Sequence, residues 1–236
     1  MIKYGIDVSR HNGVIDWNKV KSSGKAEFAI LRAGYGKLTS QKDTQFESYY
    51  QQCQAVGIPV GAYWYSYAMT AAEAREEAKA FLEVIQGKKF DYPVYLDLEE
   101  QKQFALGKAT CSAIAGAFLE IVQNAGYFTG IYSSKSGLEN CISEEIRKQY
   151  TVWVAHVNVS KTTYAGSHDI WQYSWKGRID GISGDVDCDC CYQDFPSVIR
   201  NAGLNGFSVS DVSASSSKKF RITVDDKTYS GILDEE

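Results

Sequence analysis

The sequence has no surplus of positive charge. Its 25 Lys and Arg stand against 29 Asp and Glu, a net charge of −4, so gripping a nucleic acid or an anionic membrane surface by bulk charge is excluded. No run approaches the ~20 consecutive apolar residues of a membrane span, which argues against membrane insertion. Histidine is scarce: His11, His156 and His168 are scattered without metal-ligand spacing. The six cysteines, Cys53, Cys111, Cys141, Cys188, Cys190 and Cys191, follow no disulfide-scaffold rhythm for a chain this long. The Cys188-Asp189-Cys190-Cys191 cluster lacks the second Cys pair or spaced His pair that completes a zinc site. Structural thiols are the simpler reading, and no metal or other cofactor is called for. There is no G-x-S-x-G nucleophile elbow, and Gly34-Tyr35-Gly36-Lys37 lacks the spacing of a phosphate loop. Internal repeats are absent.

What is present is an alternation of strand-like and helix-like segments in a chain whose 44% hydrophobic content suffices for a sizeable core. Segments rich in β-branched and aromatic residues, bounded by Gly, Pro, Ser or Asn, predict strands at Tyr4–Val8, Phe28–Ala33, Val60–Tyr67, Val94–Glu99, Thr129–Ser133, Val152–Val157, Ile170–Tyr173 and Asp185–Asp189. Helical patterns fall at Thr44–Val56, Ala71–Gln86, Lys108–Asn124 and Glu144–Tyr150. Thr70-Ala71-Ala72-Glu73 reads as a capping box, and Gly126 stands where a C-terminal glycine is expected. Alternating elements imply βαβ units and a parallel sheet, and eight strands imply closure. About 205 residues is the lower end for such a fold, and the last three strands have little helix between them. The expectation is an α/β protein, an irregular, flattened (β/α)8-type barrel with some helices short or missing. The barrel occupies residues 1–205. Residues 206–219 are Ser-rich and read as a linker, and residues 220–236 alternate like a β-hairpin tail of unassigned role.

The strongest chemical signal is Pro93-Val94-Tyr95-Leu96-Asp97-Leu98-Glu99-Glu100. Buried carboxylates are costly, so an apolar strand ending in acids is unusual. With a period of two, Asp97 and Glu99 share a face, at the strand end that opens on a barrel's catalytic mouth. Two carboxylates there repel, which keeps one protonated near neutral pH. A protonated acid beside an ionised partner is what glycosidic cleavage requires. The alternative is a solvated acidic loop. A further acid, Asp7, lies on the first strand, which in a closed barrel neighbours the eighth, where Asp185, Asp187 and Asp189 alternate on one face. These residues together bring several carboxylates to one mouth. A calcium loop is excluded there, since Cys190 replaces its required Gly.

Tyr4-Gly-Ile-Asp-Val-Ser9 with Asn12-Gly13 and Ile15-Asp16-Trp17, Gly61-Ala-Tyr-Trp-Tyr65, Tyr95-Leu-Asp-Leu-Glu99, Gly130-Ile-Tyr-Ser133, Trp153-Val-Ala155, Trp171-Gln-Tyr173 and Gly181-Ile-Ser-Gly-Asp-Val-Asp187 occur in that order. Over residues 3–200 they resemble the glycoside hydrolase family 25 lysozymes, the Chalaropsis-type muramidases of bacteria and phage endolysins. The resemblance implies cleavage of the β-1,4 bond between N-acetylmuramic acid and N-acetylglucosamine in bacterial peptidoglycan strands. It implies Glu99 as general acid, Asp97 as the second carboxylate, which positions the substrate's own N-acetyl group, and Asp7 and Asp187 completing the cluster, with Asp185 the fallback for Asp187. Tyr63, Tyr65, Tyr132, Trp153 and Gln172 are assigned to stacking on and hydrogen-bonding the sugars, against packing in the core. Arg32 either faces the same mouth or forms a structural ion pair with one of the acids. The Cys-rich 188–191 segment and the Ser-rich tail depart from the family pattern.

The alternatives are another N-acetylglucosamine-glycan hydrolase, an endo-N-acetylglucosaminidase or a chitinase-like enzyme, and a non-catalytic wall-glycan-binding protein. A chitinase would show a D-x-x-D-x-D-x-E run, and Tyr95 two residues before Asp97 argues against it. The intact acid set argues against a binding-only protein. Met1 to Asp7 run straight into a strand pattern without a signal-peptide profile, which points to endolysin-type release or a removed leader and to action on the wall outside the cell. The sequence sets no oligomeric state.

Overall fold

Eight strands close into a barrel in chain order: β1 (Lys3–Val8), β2 (Phe28–Tyr35), β3 (Val60–Tyr65), β4 (Val94–Asp97), β5 (Thr129–Ser134), β6 (Thr151–Ala155), β7 (Ile170–Gly177) and β8 (Val186–Cys191). This computed structural model describes residues 1–208, 218–224 and 227–233. Most of the expected linker, residues 209–217, lies outside the described residues. Strands form where β-branched and aromatic residues concentrate, and both faces are used. On β2, Phe28 and Ile30 point into the barrel, while Ala29 and Leu31 join the layer between strands and helices.

From β1 to β7 every neighbouring pair is parallel, as the alternation predicts. The eighth strand is a correction: β8 runs antiparallel to both β7 and β1. The cause is chain length. A parallel return needs a crossover of about a dozen residues, which residues 156–169 supply between β6 and β7 without a helix. Residues 178–185 are too few, so the chain can only turn back. Three strand ends are shorter than the sequence pattern implies, at Tyr65, Asp97 and Ala155, because beyond them the chain passes into loops at the mouth.

The helices are α1 (Trp17–Ser23), α2 (Phe46–Val56), α3 (Ala71–Ile85), α4 (Gln101–Phe104), α5 (Lys108–Asn124), α6 (Lys135–Cys141), α7 (Glu144–Gln149) and α8 (Phe195–Asn201). The sequence pattern finds the three longest, α2, α3 and α5, and the six-residue α7. It misses α1, α4, α6 and α8, which have seven residues or fewer and complete too few turns to display a clear period of 3.6. The α3 start follows its expected chemistry: Thr70 accepts from the Glu73 N–H at 3.2 Å, and the Glu73 carboxylate turns back to accept from the Met69 N–H at 2.8 Å. All six cysteines are free thiols, and only Cys141 is not buried. Beyond the barrel, β9 (Lys218–Val224) and β10 (Lys227–Leu233) pair antiparallel with each other.

Helix α8 covers the base of the barrel. Its Phe195 meets Phe128 at 5.7 Å and Tyr92 at 5.9 Å between ring centroids, and Phe28 stacks on Tyr92 at 4.3 Å. Asn205 then ties the chain to the strand starts. Fully buried and in the left-handed region at φ +55°, it donates to the carbonyls of Phe90 and Tyr92 at 3.0 and 2.9 Å and accepts from the Phe128 N–H at 2.7 Å. Asn205→Ala leaves three buried backbone groups without partners and strains a side chain at positive φ. The expected loss is about 3 kcal/mol, read as a lower urea midpoint with an unchanged denaturant slope.

Candidate active site

At the opposite end, a cleft of about 320 Å³ is lined by Asp7, Arg32, Tyr63, Tyr65, Asp97, Glu99, Tyr132, Trp153, Gln172 and Asp187 among others. Every side chain singled out in the sequence is therefore brought to one place, drawn from all eight strands or the loops that follow them. The antiparallel β8 contributes through its N-terminal rather than its C-terminal end. Asp187 stands opposite Asp7 in the β1–β8 ladder. Asp185 precedes the strand at the rim and pairs with Arg178 at 2.8 Å.

Asp97 is the last residue of β4, and Glu99 lies two residues beyond it in the following loop. The period-two relation survives because Leu98 still bonds its N–H to the Tyr132 carbonyl and is itself wholly buried. It sends its side chain into the apolar layer, so its two acidic neighbours turn to the cleft. Arg32 lies beside a register shift between β2 and β3, and its Nε donates to Asp43 at 2.7 Å. Arg32 thus lines the mouth, the first of its two expected readings, while its ion pair is with Asp43 and not with an acid of the cleft. Asp43 is buried and also accepts from the N–H groups of Arg10 and Gln45. It belongs to the β2–α2 connection, where nothing in the local pattern marks it. The Arg32 Nη2 atom remains buried with no partner among the described residues, as does Asp97 Oδ1, which leaves one donor and one acceptor unused at the cleft.

Gln172 organises the floor. Its Nε2 donates to Asp7 Oδ2 at 2.7 Å, while its Oε1 accepts from the Tyr132 hydroxyl at 2.9 Å and from the Trp175 indole at 2.8 Å. Trp153 is fully buried; its ring lies 4.4 Å from Tyr132 and 6.1 Å from Tyr63 between centroids, and its indole donates to Asp189 at 2.8 Å. It packs as core and lines the cleft at once. Tyr65 donates to Glu100 at 2.7 Å. Asp189, Asp43, Glu100 and Trp175 are thus participants that the sequence reading left unassigned. Asp189 and Glu100 had a visible signal, the one in its place on the acidic face of β8, the other at the acidic end of the Pro93 to Glu100 run.

The electrostatics follow from burial. Desolvation is the largest influence on each cleft acid, and it favours the neutral form. Asp97 is held well above the usual carboxylate range by burial and then by Glu99, with Arg32 opposing. Glu99 is raised by burial, then by Glu100 and Asp187. Asp7 is raised by burial, Asp189 and Asp187, against the Gln172 hydrogen bond. Burial pushes Asp187 up to about 6. The arrangement can therefore hold a protonated carboxyl next to an ionisable one near neutral pH, in a groove walled by tyrosines.

Comparison with known proteins places these features in a family. The model for glycosyl hydrolases family 25 matches residues 6–182, a span that includes Asp7, Asp97 and Glu99 and stops before Asp187. The autolytic lysozyme of Clostridium acetobutylicum is 28% identical over 187 residues, 78% of this chain and 54% of that one. Lysozyme M1 of Streptomyces globisporus is 32% identical over 200 residues, 78% of this chain and 65% of that one. The chain spans about half the length of the first of these relatives and about two-thirds of the second. Among solved structures, the bacterial lysozyme from Streptomyces coelicolor superposes with a TM-score of 0.74 at 27% identity, over 85% of this chain and 96% of that one.

The raised Asp187 has a stability consequence. Its carboxyl binds its proton more tightly in the folded state, at about 6, than in the unfolded chain, at about 3.9. Its stabilising contribution is therefore complete below about pH 4 and lost as the pH rises through 6. Asp187→Asn removes that loss. The variant is expected to be more stable than the wild type by about 2 kcal/mol at pH 7 and indistinguishable near pH 3.5, in melting curves collected across that range.

Proposed function

The chain belongs to glycosyl hydrolase family 25, and from that premise we propose that it is an N-acetylmuramidase. It hydrolyses the β-1,4 bond between N-acetylmuramic acid and N-acetylglucosamine in bacterial peptidoglycan, acting on the wall from outside the cell. The observation that carries this reading is the meeting of Glu99, Asp97, Asp7 and Asp187 with a tyrosine-walled groove in one cleft. In this proposal the catalytic unit is residues 1–205, with 206–219 a linker and 220–236 a tail of separate role. Among the described residues, no helix is long and apolar enough to cross a membrane.

Glu99 is the general acid. Burial and its acidic neighbours favour its protonated form, which supplies the proton that the leaving glycosidic oxygen takes up as the C1–O bond breaks. Asp97 orients the acetamido group of the sugar on the C1 side. Its unpartnered Oδ1 accepts the amide N–H, while the acetamido carbonyl oxygen bonds to C1 in place of the leaving group. Water then displaces that oxygen at C1 and gives a proton back to Glu99, restoring the acid. Asp97 is buried, and its resistance to ionisation suits this hydrogen-bonding role better than direct attack on C1. Asp7 and Asp187 line the far side of the groove, where they stabilise the cationic character that develops at the sugar ring. Tyr63, Tyr65 and Tyr132 present rings and hydroxyls to the sugars, with Trp153 as the floor and Gln172 as the bridge to Asp7. Arg32 Nη2, unpartnered among the described residues, is a further donor at the cleft for a sugar oxygen.

Digestion of purified peptidoglycan, with the new reducing ends identified by mass spectrometry, tests the proposal. The expected products carry reducing N-acetylmuramic acid. Glu99→Gln is expected to lower kcat by about a thousandfold, with substrate binding retained in a wall pull-down. Reducing N-acetylglucosamine ends would reassign the bond cleaved, and an undiminished Glu99→Gln would remove Glu99 from its role.

A further inference from the structure

Below the acids assigned above lies a carboxyl with no place in that mechanism. Asp189 sits on β8, two residues further toward the base than Asp187 and opposite Gly5 in the ladder. Gly5 has no side chain to share that space, and a Cβ there would come within 2.5 Å of the Phe28 ring. The Asp189 carboxyl is fully buried. Its Oδ1 accepts the Trp153 indole N–H at 2.8 Å. Its Oδ2 has no donor among the described residues, and the carboxyl lies beside Asp7 on the paired strand β1, two residues along from Gly5 on the same face. On Asp7, Oδ2 is occupied by the Gln172 amide.

Two carboxylates cannot hydrogen-bond without a proton between them, and two adjacent buried negative charges are prohibitive. The remaining question is which of the two holds the proton. Asp7 opens onto the cleft and has a route to water; Asp189 has none. The ionisable groups around Asp189 are Asp7 on β1, Tyr95 on β4, Tyr173 on β7, and Asp187 with the neighbouring thiols on β8. None of these is a cation that would favour an ionised Asp189, and Arg32 commits its Nε to Asp43.

We infer that Asp189 is a neutral positioning residue that donates a hydrogen bond to Asp7 while accepting one from Trp153, thereby locking the acid and the aromatic floor of the cleft together. The inference extends the muramidase reading, since it says how Asp7 is aimed. It makes no claim that Asp189 touches substrate. Burial raises the Asp189 carboxyl well above its ordinary range, consistent with the neutral form.

An amide reproduces a protonated carboxyl, so Asp189→Asn can accept from Trp153 and donate to Asp7, whereas Asp189→Ala can do neither. In Asp189→Asn the Trp153 indole resonance should keep its position and slow solvent exchange in ¹H–¹⁵N spectra, and wall lysis should stay within about threefold of wild type. Asp189→Ala should expose the indole to exchange and reduce lysis by about tenfold or more. The asparagine variant should also resist heat better than the wild type above pH 6, because a carboxyl that folding keeps protonated loses stability as the pH rises. An Asp189→Asn that disturbs the indole as much as alanine does, or that loses stability at neutral pH, would overturn the inference. Should Asp189→Ala not fold, the carboxyl carbon of Asp189 in wild-type protein labelled with ¹³C at aspartate gives the same answer. A protonated shift held through pH 7 supports the inference, and an ionised one ends it. The indole, melting and ¹³C measurements need no substrate, so failure of the muramidase assignment would appear separately, as wild-type protein that releases no product.

Discussion

The dominant constraint on this molecule is the cost of taking negative charge out of water. Asp7, Asp97, Glu99, Asp187 and Asp189 meet at one end of a barrel whose walls are aromatic and aliphatic, and desolvation is the first influence on every one of them. The cationic side chain of the cleft, Arg32, commits its Nε to Asp43. Charge is instead limited by protons and by neutral donors. The Gln172 amide and the Trp153 indole each supply one hydrogen bond to an acid, and such bonds to charged or proton-sharing groups are stronger than neutral ones. The surrounding scaffold must therefore be stable enough to hold acids in states they would abandon in water. The apolar layer between strands and helices and the cluster inside the barrel contribute that stability.

Separate strands bring these groups together, and closure of the barrel makes the arrangement possible. Asp7 on β1 meets Asp187 on β8 only because the first and last strands are neighbours. Gln172 on β7 reaches Asp7 on β1 by spanning the β8 position between them. Preorganised dipoles and donors of this kind need no rearrangement when charge develops in a bound substrate. Rigid strands hold them more accurately than loops would.

Much of this was legible in the sequence. The Val94 to Glu99 run announces a strand that carries acids to its end, and the alternation of Asp185, Asp187 and Asp189 announces an acidic strand face. Both readings depend only on side-chain periodicity, which local sequence preserves. The direction of β8 was not legible in the same way, because it is decided by the number of residues available for the return and not by the strand's own composition. Asp43 was invisible for a related reason: its partners Arg32 and Arg10 come from other elements, and no local pattern records a contact made across the fold. Four of the short helices escaped because a helix of two turns or less shows little of a period, and of that length only α7 was read. Trp153 illustrates the limit for side chains. The choice between core packing and sugar binding had no single answer, since the indole is buried, bonded to Asp189 and still part of the cleft wall.

The reversed β8 also settles where the chain enters and leaves the barrel. Lys3 at the beginning of β1 pairs with Cys191 at the end of β8, so both ends of the closed sheet emerge side by side, at the face turned away from the cleft. Had the eighth strand been parallel, the polypeptide would have left at the mouth, beside Asp187 and across the groove. As built, the barrel has a handle and a working face on opposite poles. The described chain leaves α8 at the pole away from the groove. The adjacency of the two ends also makes the barrel a unit that could be opened elsewhere and rejoined at its base without disturbing the acids.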